Sequence, residues 1–358
     1  KYVKFYKESS KEIFYANDIK YKCVKLKEEN NKYIFYSKNL YKKLKRNRNK
    51  KFKRELEKND SILSKVKKGK EIERFISREG DIIAKGIIPG PRMIVATRAI
   101  VLTGTYGPKS DDPNVILPQG AAEVADVEEM INEVKTEIDA GADLIKLYAD
   151  YRLKKNTEAV PTFTQEQMAA AVKVARDNGR KVVAHATTPE GMRRAIMAGV
   201  KTIEHGDNGT EEIFRLMKEN EVALCPTLAA GDAIQQYRGW RKGIDPEPLS
   251  ISNKKKTFAL ALKEGVTICM GGDAGVFAHG DNAREMEMMV DYGMNPVDVL
   301  RSATSINANV FGYEGVLGRV KTGWMADLIA VEGDPSVNIK DIRNIKLVMK
   351  DGLIYKQP

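Results

Sequence analysis

The stretch Val182 to Gly206, VVAHATTPEGMRRAIMAGVKTIEHG, constrains the fold more than any other part of this chain. Its pattern predicts a short strand over Val182–Thr187, a helix over Pro189–Ala198 and a second strand over Thr202–His205. Thr188 is suited to cap the helix, Pro189 to its first position, where a missing N–H costs nothing, and Gly199 to end it. A strand, a crossover helix and another strand make a βαβ unit, whose strands run parallel. His185 and His205 then stand at similar depths, near the C-terminal ends of neighbouring strands. In barrels of such units that end carries the chemistry. The chain holds three histidines in all, so two at equivalent places in one repeat exceed chance placement.

The alternation extends in both directions. Strands are expected at 93–103, 143–149, 222–228 and 266–275. Helices are expected near 127–140, 165–179, 210–220, 253–264, 283–292 and 296–311, and Thr164 with Gln167 forms a capping box ahead of the second of these. Such alternation is the mark of an α/β parallel barrel or sheet. The loop 104–121 is long enough to suggest function. From Leu317 the pattern changes to short strands with turns, a small β module. At 358 residues the chain can hold two ordinary domains or one large barrel with an appendage. It has no run of eighteen apolar residues, so no membrane span is expected. Cys23, Cys225 and Cys269 are odd in number and widely spaced, which fits reduced, structural thiols and a cytoplasmic setting.

The N-terminal part reads differently. Residues 1–68 contain no glycine and no proline, although compact folds use both as turn punctuation. Residues 1–75 carry 25 lysines and arginines against 10 acidic residues, whereas the remainder carries 35 against 39. The basic character therefore belongs to the first fifth of the chain, and centres on YKKLKRNRNKKFKR at 41–54. Lys, Asn, Ile, Phe and Tyr, whose codons use only A and T, supply 42 of the first 68 residues. Three readings are open: sequence misread from AT-rich DNA, a genuine helical or disordered extension, and a nucleic-acid-binding arm. The arm lacks any recognisable nucleic-acid-binding module, which disfavours nucleic acid as a partner. The chain thus divides into an atypical segment 1–75, a barrel region 76–315 and a β module 316–358.

Four side chains carry candidate chemistry. Lys146 lies inside an apolar strand, a costly place for an amine unless it is paired or modified; a lysine snorkelling from the strand end is the structural alternative. Asp273 follows an apolar strand and two glycines, where a turn-forming or capping aspartate is the alternative. Each histidine taken alone reads as a hydrogen-bonded core residue. Together, two histidines, a lysine and an aspartate end four different expected parallel strands.

With the motifs GIIPGPRM, GADLIKLYADYR, VVAHATTPEGMRRAIMAGVKTIEHGD, ALCPTLAAGD, GGDAGVFAHGDN and LGRVKTGWMADLIAVEGDP, the chain from about Asp81 to Tyr355 resembles the metal-dependent amidohydrolase superfamily, in its imidazolonepropionase-like and Xaa-Pro dipeptidase-like branch. The resemblance implies a (β/α)8 TIM-type barrel, incomplete at its first strands, with a small β-sandwich formed in part by the tail. It implies hydrolysis of a C–N bond in a small, cyclic-amide or dipeptide-like substrate, and divalent metal, usually zinc, as one or two ions. Lys146, carboxylated on its amine, His185, His205 and Asp273 are then metal ligands, with Asp273 also the catalytic proton shuttle. Tyr148, Tyr151, Arg152 and His279 are expected to face substrate; a surface role for Arg152 is equally open. The family's His-x-His pair on the first strand has no counterpart here, since the third histidine is His279. That departure makes an impaired or inactive amidohydrolase-like protein the alternative. Oligomeric state, with a homo-oligomer among the options, stays open.

Overall fold

Capped amphipathic helices alternating with short apolar strands fold back onto a single parallel sheet. The computed structural model describes residues 83–86, 89–106, 120–153 and 157–357, with the backbones of four strands between residues 14 and 37. The chain divides into two compact units, Lys1–Lys68 and Gly69–Pro358. In the first unit β1 (Phe14–Ala16) pairs antiparallel with β2 (Ile19–Tyr21), and β3 (Cys23–Glu29) with β4 (Lys32–Ser37). The basic run 41–54 and loop residues 107–119 lie outside the described residues.

In the second unit the order is β5 (Ala99–Leu102), β6 (Ala121–Val124), α1 (Val127–Asp139), β7 (Leu144–Tyr148), β8 (Asp150–Arg152), β9 (Ala159–Pro161), α2 (Gln165–Asp177) and β10 (Lys181–Ala186). It continues through α3 (Pro189–Ala198), β11 (Thr202–His205), α4 (Glu211–Glu219), β12 (Ala223–Cys225), α5 (Leu228–Tyr237), α6 (Leu249–Glu264), α7 (Ala283–Asp291), α8 (Pro296–Arg301) and α9 (Asn307–Val310). It ends with β13 (Leu328–Val331), β14 (Ile345–Lys350) and β15 (Leu353–Lys356). Six strands form one parallel sheet in the order β12-β11-β10-β7-β5-β6, unclosed among the described residues. β13, β14 and β15 make a separate antiparallel sheet. Arg92 ties the beginning of this unit to that sheet through Asp327 at 3.1 Å and Asp351 at 2.6 Å. Among the described residues no helix is long and apolar enough to cross a membrane.

The helix starts follow the sequence signals. Thr188 accepts from the Gly191 N–H and Gly199 closes α3 at φ 90°, while Thr164 and Gln167 complete the capping box of α2. The core lies between the sheet and its helices, where Met130, Val134, Met168, Met192, Ile196 and Phe214 are fully buried. Burial of each such side chain contributes about 1.5–3 kcal/mol.

Several boundaries differ from the sequence reading. The expected strand 93–103 shrinks to β5, because Thr97 turns into the left-handed region at φ 54°. The strand expected at 222–228 stops at Cys225, since Pro226 offers no N–H and Thr227 is left-handed at φ 51°. Leu228 onward becomes α5 and Ala121–Val124 becomes β6, two elements beyond those expected. In the run 266–275 a single parallel bridge joins Ile268 to Leu224, and Gly271 with Gly272 ends the extended run. A π-helical turn, Ser302–Ile306, interrupts the helix expected over 296–311.

Candidate functional site

Register and pleat decide which side chains share the inner face of the sheet. In β7, Ile145 and Leu147 are buried beneath the helices, so Lys146 and Tyr148 point to the opposite face. Val183 is in register with Lys146 and His185 with Tyr148, which puts the His185 side chain on that face too. Glu204 follows it by register with His185. His205 pairs with Ala186, and strand alternation alone would direct it toward the helices. Its backbone instead adopts φ 75°, a left-handed conformation that re-aims the ring. The two imidazoles meet edge to face with centroids 4.5 Å apart. Asp273 is also left-handed, at φ 56°. Non-glycine residues held there cost of order 1–3 kcal/mol and cluster at functional sites.

Burial keeps both imidazoles neutral. The His185 ring is pushed down to about 3, first by burial and then by the Lys146 ammonium, with Asp207 opposing. His205 lies well below the usual range, through burial, then His185, Lys146 and Lys254. Asp273 opens to solvent at the mouth, yet the protein packed around it raises its carboxyl; Lys146 opposes this shift and Glu204 adds to it. Lys146 therefore acts electrostatically on both histidines and on Asp273, so the four side chains named from the sequence share one neighbourhood. His205 uses Nδ1 for a 2.7 Å hydrogen bond with Thr227 Oγ1, leaving Nε2 for another partner.

An aromatic wall stands beside them. Tyr148 stacks on His185 at 4.5 Å and meets Tyr151 at 5.6 Å, and Tyr106 lies 5.3 Å from Tyr148 and 5.2 Å from Tyr151. Burial, then Tyr106, raises the Tyr148 hydroxyl far above its ordinary value. Arg152, at the end of β8, is exposed; burial and then Tyr106 raise the Tyr151 hydroxyl, and the charge of Arg152 opposes that shift. His279 is exposed in the turns that follow Asp273. The structure thus brings Tyr148 and Tyr151 against the histidines, and leaves Arg152 and His279 at the periphery.

Four supporting residues carry little or no local signal in the sequence. Asp150 is fully buried and accepts from the N–H groups of Thr187 and Thr188, at 2.8 and 2.7 Å, and from both threonine hydroxyls. It fixes the loop leaving β10 and lies 3.7 Å from His185 Nε2. Burial raises its carboxyl, against the pull of those four donors. Lys254, buried on α6, donates to the His205 carbonyl oxygen at 2.6 Å. Glu285, fully buried, accepts from the Leu228 and Ala229 N–H groups and so caps α5 beside Thr227. Tyr106 sits in a loop with no periodic signal. Asp150 followed an apolar strand, as Asp273 does, and that shared pattern was the available clue.

Two neutral imidazoles, an amine and a carboxylate form a donor set compatible with one divalent cation if the amine becomes a carbamate. Unaided, His, Cys, Asp and Glu side chains do not converge in threes among the described residues.

The comparisons agree with this architecture. The model of the amidohydrolase family matches residues 79–354. The ochratoxinase of Aspergillus niger is 30% identical over 279 residues, covering 74% of this chain and 57% of that protein. An uncharacterized Mycobacterium tuberculosis protein is 26% identical over 243 residues, covering 66% and 64%. This chain thus spans less than two thirds of either relative. A Xaa-Pro dipeptidase crystallised with methionine in its active site superimposes at TM-score 0.70, with 35% identity over 78% of this chain and 71% of that one. The A. niger ochratoxinase structure gives 0.69, with 26% identity over 79% and 70%. A parallel α/β sheet with histidines at the ends of adjacent strands, followed by a small antiparallel sheet, is thereby placed: the chain belongs to the amidohydrolase family.

Proposed function

We propose that this chain is a metal-assisted hydrolase of C–N amide bonds in small or dipeptide-like substrates, with His185, His205 and a carboxylated Lys146 holding one divalent cation, most simply zinc. The observation that carries the reading is the pair of neutral imidazoles 4.5 Å apart, turned together by the strained backbone of His205. Neutral imidazole and an oxygen anion suit zinc, and three protein ligands leave a fourth position open. Carboxylation would also exchange the positive charge of Lys146 for a negative one. A cation held there would polarise the scissile carbonyl and acidify water at neutral pH.

The remaining work falls to the chain's own side chains. Asp273, within the electrostatic reach of Lys146, takes a proton from the attacking water and returns it to the leaving nitrogen. Tyr148 and Tyr151 offer an apolar wall against which a substrate side chain packs. Arg152 at the rim pairs with a substrate carboxylate, and His279 contributes at the periphery. The names of the relatives support an amide substrate: one is an ochratoxinase and one a Xaa-Pro dipeptidase.

A weaker or inactive protein is the second reading, favoured by one observation: three histidines leave no first-strand pair for a second ion. An amide-substrate screen with zinc-supplemented protein, run beside Asp273→Asn and His205→Ala, separates the two. Turnover lost in both variants supports the first reading; equal background in all three proteins supports the second.

A further inference from the structure

The left-handed backbone of His205 is disfavoured by its own Cβ, so a contact must hold it there. The Gly206 N–H closes the turn on the Ala186 and Glu204 carbonyls at 3.0 and 3.2 Å, and a further contact comes from outside the strands. Lys254 is 8% exposed, although lysine is almost never buried unless paired, and in the run Lys254-Lys255-Lys256 it alone is buried. Its Nζ donates to the His205 carbonyl oxygen at 2.6 Å and also pairs with Asp207. One turn further along α6, the Thr257 hydroxyl donates to the Asp207 carbonyl at 3.0 Å. The helix therefore grips the backbone of the turn that leaves β11, while Thr227 holds the imidazole at Nδ1.

We propose that Lys254 is a positioning residue for His205: by binding the His205 carbonyl it locks the backbone conformation that swings the imidazole onto the inner face beside His185. Without that bond the residue relaxes toward extended backbone, and strand alternation carries the ring toward the helices, away from Lys146 and Thr227. A run of three lysines ordinarily reads as a solvated helix face. Here its first member reaches through the helix layer to the strand end. The effect on metal binding rests on the site reading given above; the effect on the ring does not.

The test uses the full chain labelled with 15N-histidine. Three histidines give a sparse spectrum, and His279→Ala assigns one of them. Imidazole nitrogen shifts are recorded without metal for the native protein, Lys254→Met, Lys254→Arg and Asp207→Asn. The native chain should show one fixed His205 tautomer, with Nδ1 engaged by Thr227. Lys254→Met should average that pattern, Lys254→Arg should restore it, and Asp207→Asn should keep it. If Lys254→Met does not accumulate as folded protein, Lys254→Leu, which likewise has no donor, carries the same expectation. Zinc affinity, measured by chelator competition, should fall about 10–100-fold in Lys254→Met. A native His205 pattern in the methionine or leucine variant overturns the proposal. So does an Asp207→Asn spectrum matching Lys254→Met, which would make Lys254 merely the counter-ion of Asp207. A native chain that binds no zinc would refute the site reading alone, because the nitrogen shifts are read without metal.

Discussion

Replacing Asp150, which lies 3.7 Å from His185 Nε2, should damage the site although every proposed ligand is kept. Its carboxylate is fully buried and receives four donors: the N–H groups of Thr187 and Thr188 at 2.8 and 2.7 Å, and their hydroxyls at 3.0 and 2.8 Å. Each hydrogen bond to a charged group contributes about 1.5–3 kcal/mol net. Burial of the charge works against that sum, and wins in part, since the carboxyl is shifted upward despite its donors. The net cost of Asp150→Ala therefore falls below the sum of four bonds, at about 3–5 kcal/mol, the range for removing one partner of a buried charged group. Asp150→Asn keeps one acceptor but turns an NH2 toward N–H donors, and should cost about 2 kcal/mol. Urea unfolding at pH 7 measures both. Zinc affinity should also drop, because the loop of Thr187 and Thr188 no longer fixes the exit of β10 behind His185. A loss under 1 kcal/mol in Asp150→Ala would refute the claim that this carboxylate organises the loop.

Three further outcomes follow from the same geometry. Gly191→Ala would place a Cβ 2.4 Å from Asp150 Oδ2, with the Asp150 Cβ also close at 3.0 Å; it should cost about 1–3 kcal/mol in urea unfolding, and neutrality would count against the packing. Asp273→Asn should lower turnover far more than His279→Ala, because a proton shuttle acts in the transition state while a peripheral histidine does not; steady-state kinetics showing the reverse order would exclude the assigned roles. Glu285 is raised from 4.5 to about 7, chiefly by burial, so the folded state binds its proton more tightly than the unfolded chain. Its stabilising contribution is complete below about pH 4.5 and is lost as pH rises through about 7. The difference in stability between the native protein and Glu285→Gln should therefore vary across that window, and a flat difference would contradict the burial argument.

Much of this fold was legible because its signals are local. Thr188, Pro189 and Gly199 bound α3 by capping chemistry that acts within four residues, and Thr164 with Gln167 does the same for α2. Lys146, His185, His205 and Asp273 were legible as polar residues at the ends of apolar runs, joined by a family resemblance. What escaped was tertiary. Lys254 sits in a lysine run whose composition points to solvent, and only the packing of α6 on β11 reveals its partner. Asp150 and Glu285 bind backbone N–H groups 37 and 57 residues away in sequence, a relation no periodicity encodes. The left-handed turn at His205 likewise cannot be read from TIEHG, although it decides which way the ring points. The extra helix α5 was hidden behind Pro226, because its N-terminus is capped by Glu285 in place of a local Ser, Thr or Asp side chain.

The central claim is that His185, His205 and Lys146 form one metal site, and metal stoichiometry tests it most directly. Purified protein is loaded with zinc in bicarbonate buffer, dialysed against a mild chelator and analysed for metal, alongside His185→Ala, His205→Ala and Lys146→Met. The account predicts about one retained equivalent per native chain, the number set by three protein ligands. Each variant should fall to the background of the buffer. Two retained equivalents in the native chain, or full retention in any of the three variants, would contradict it.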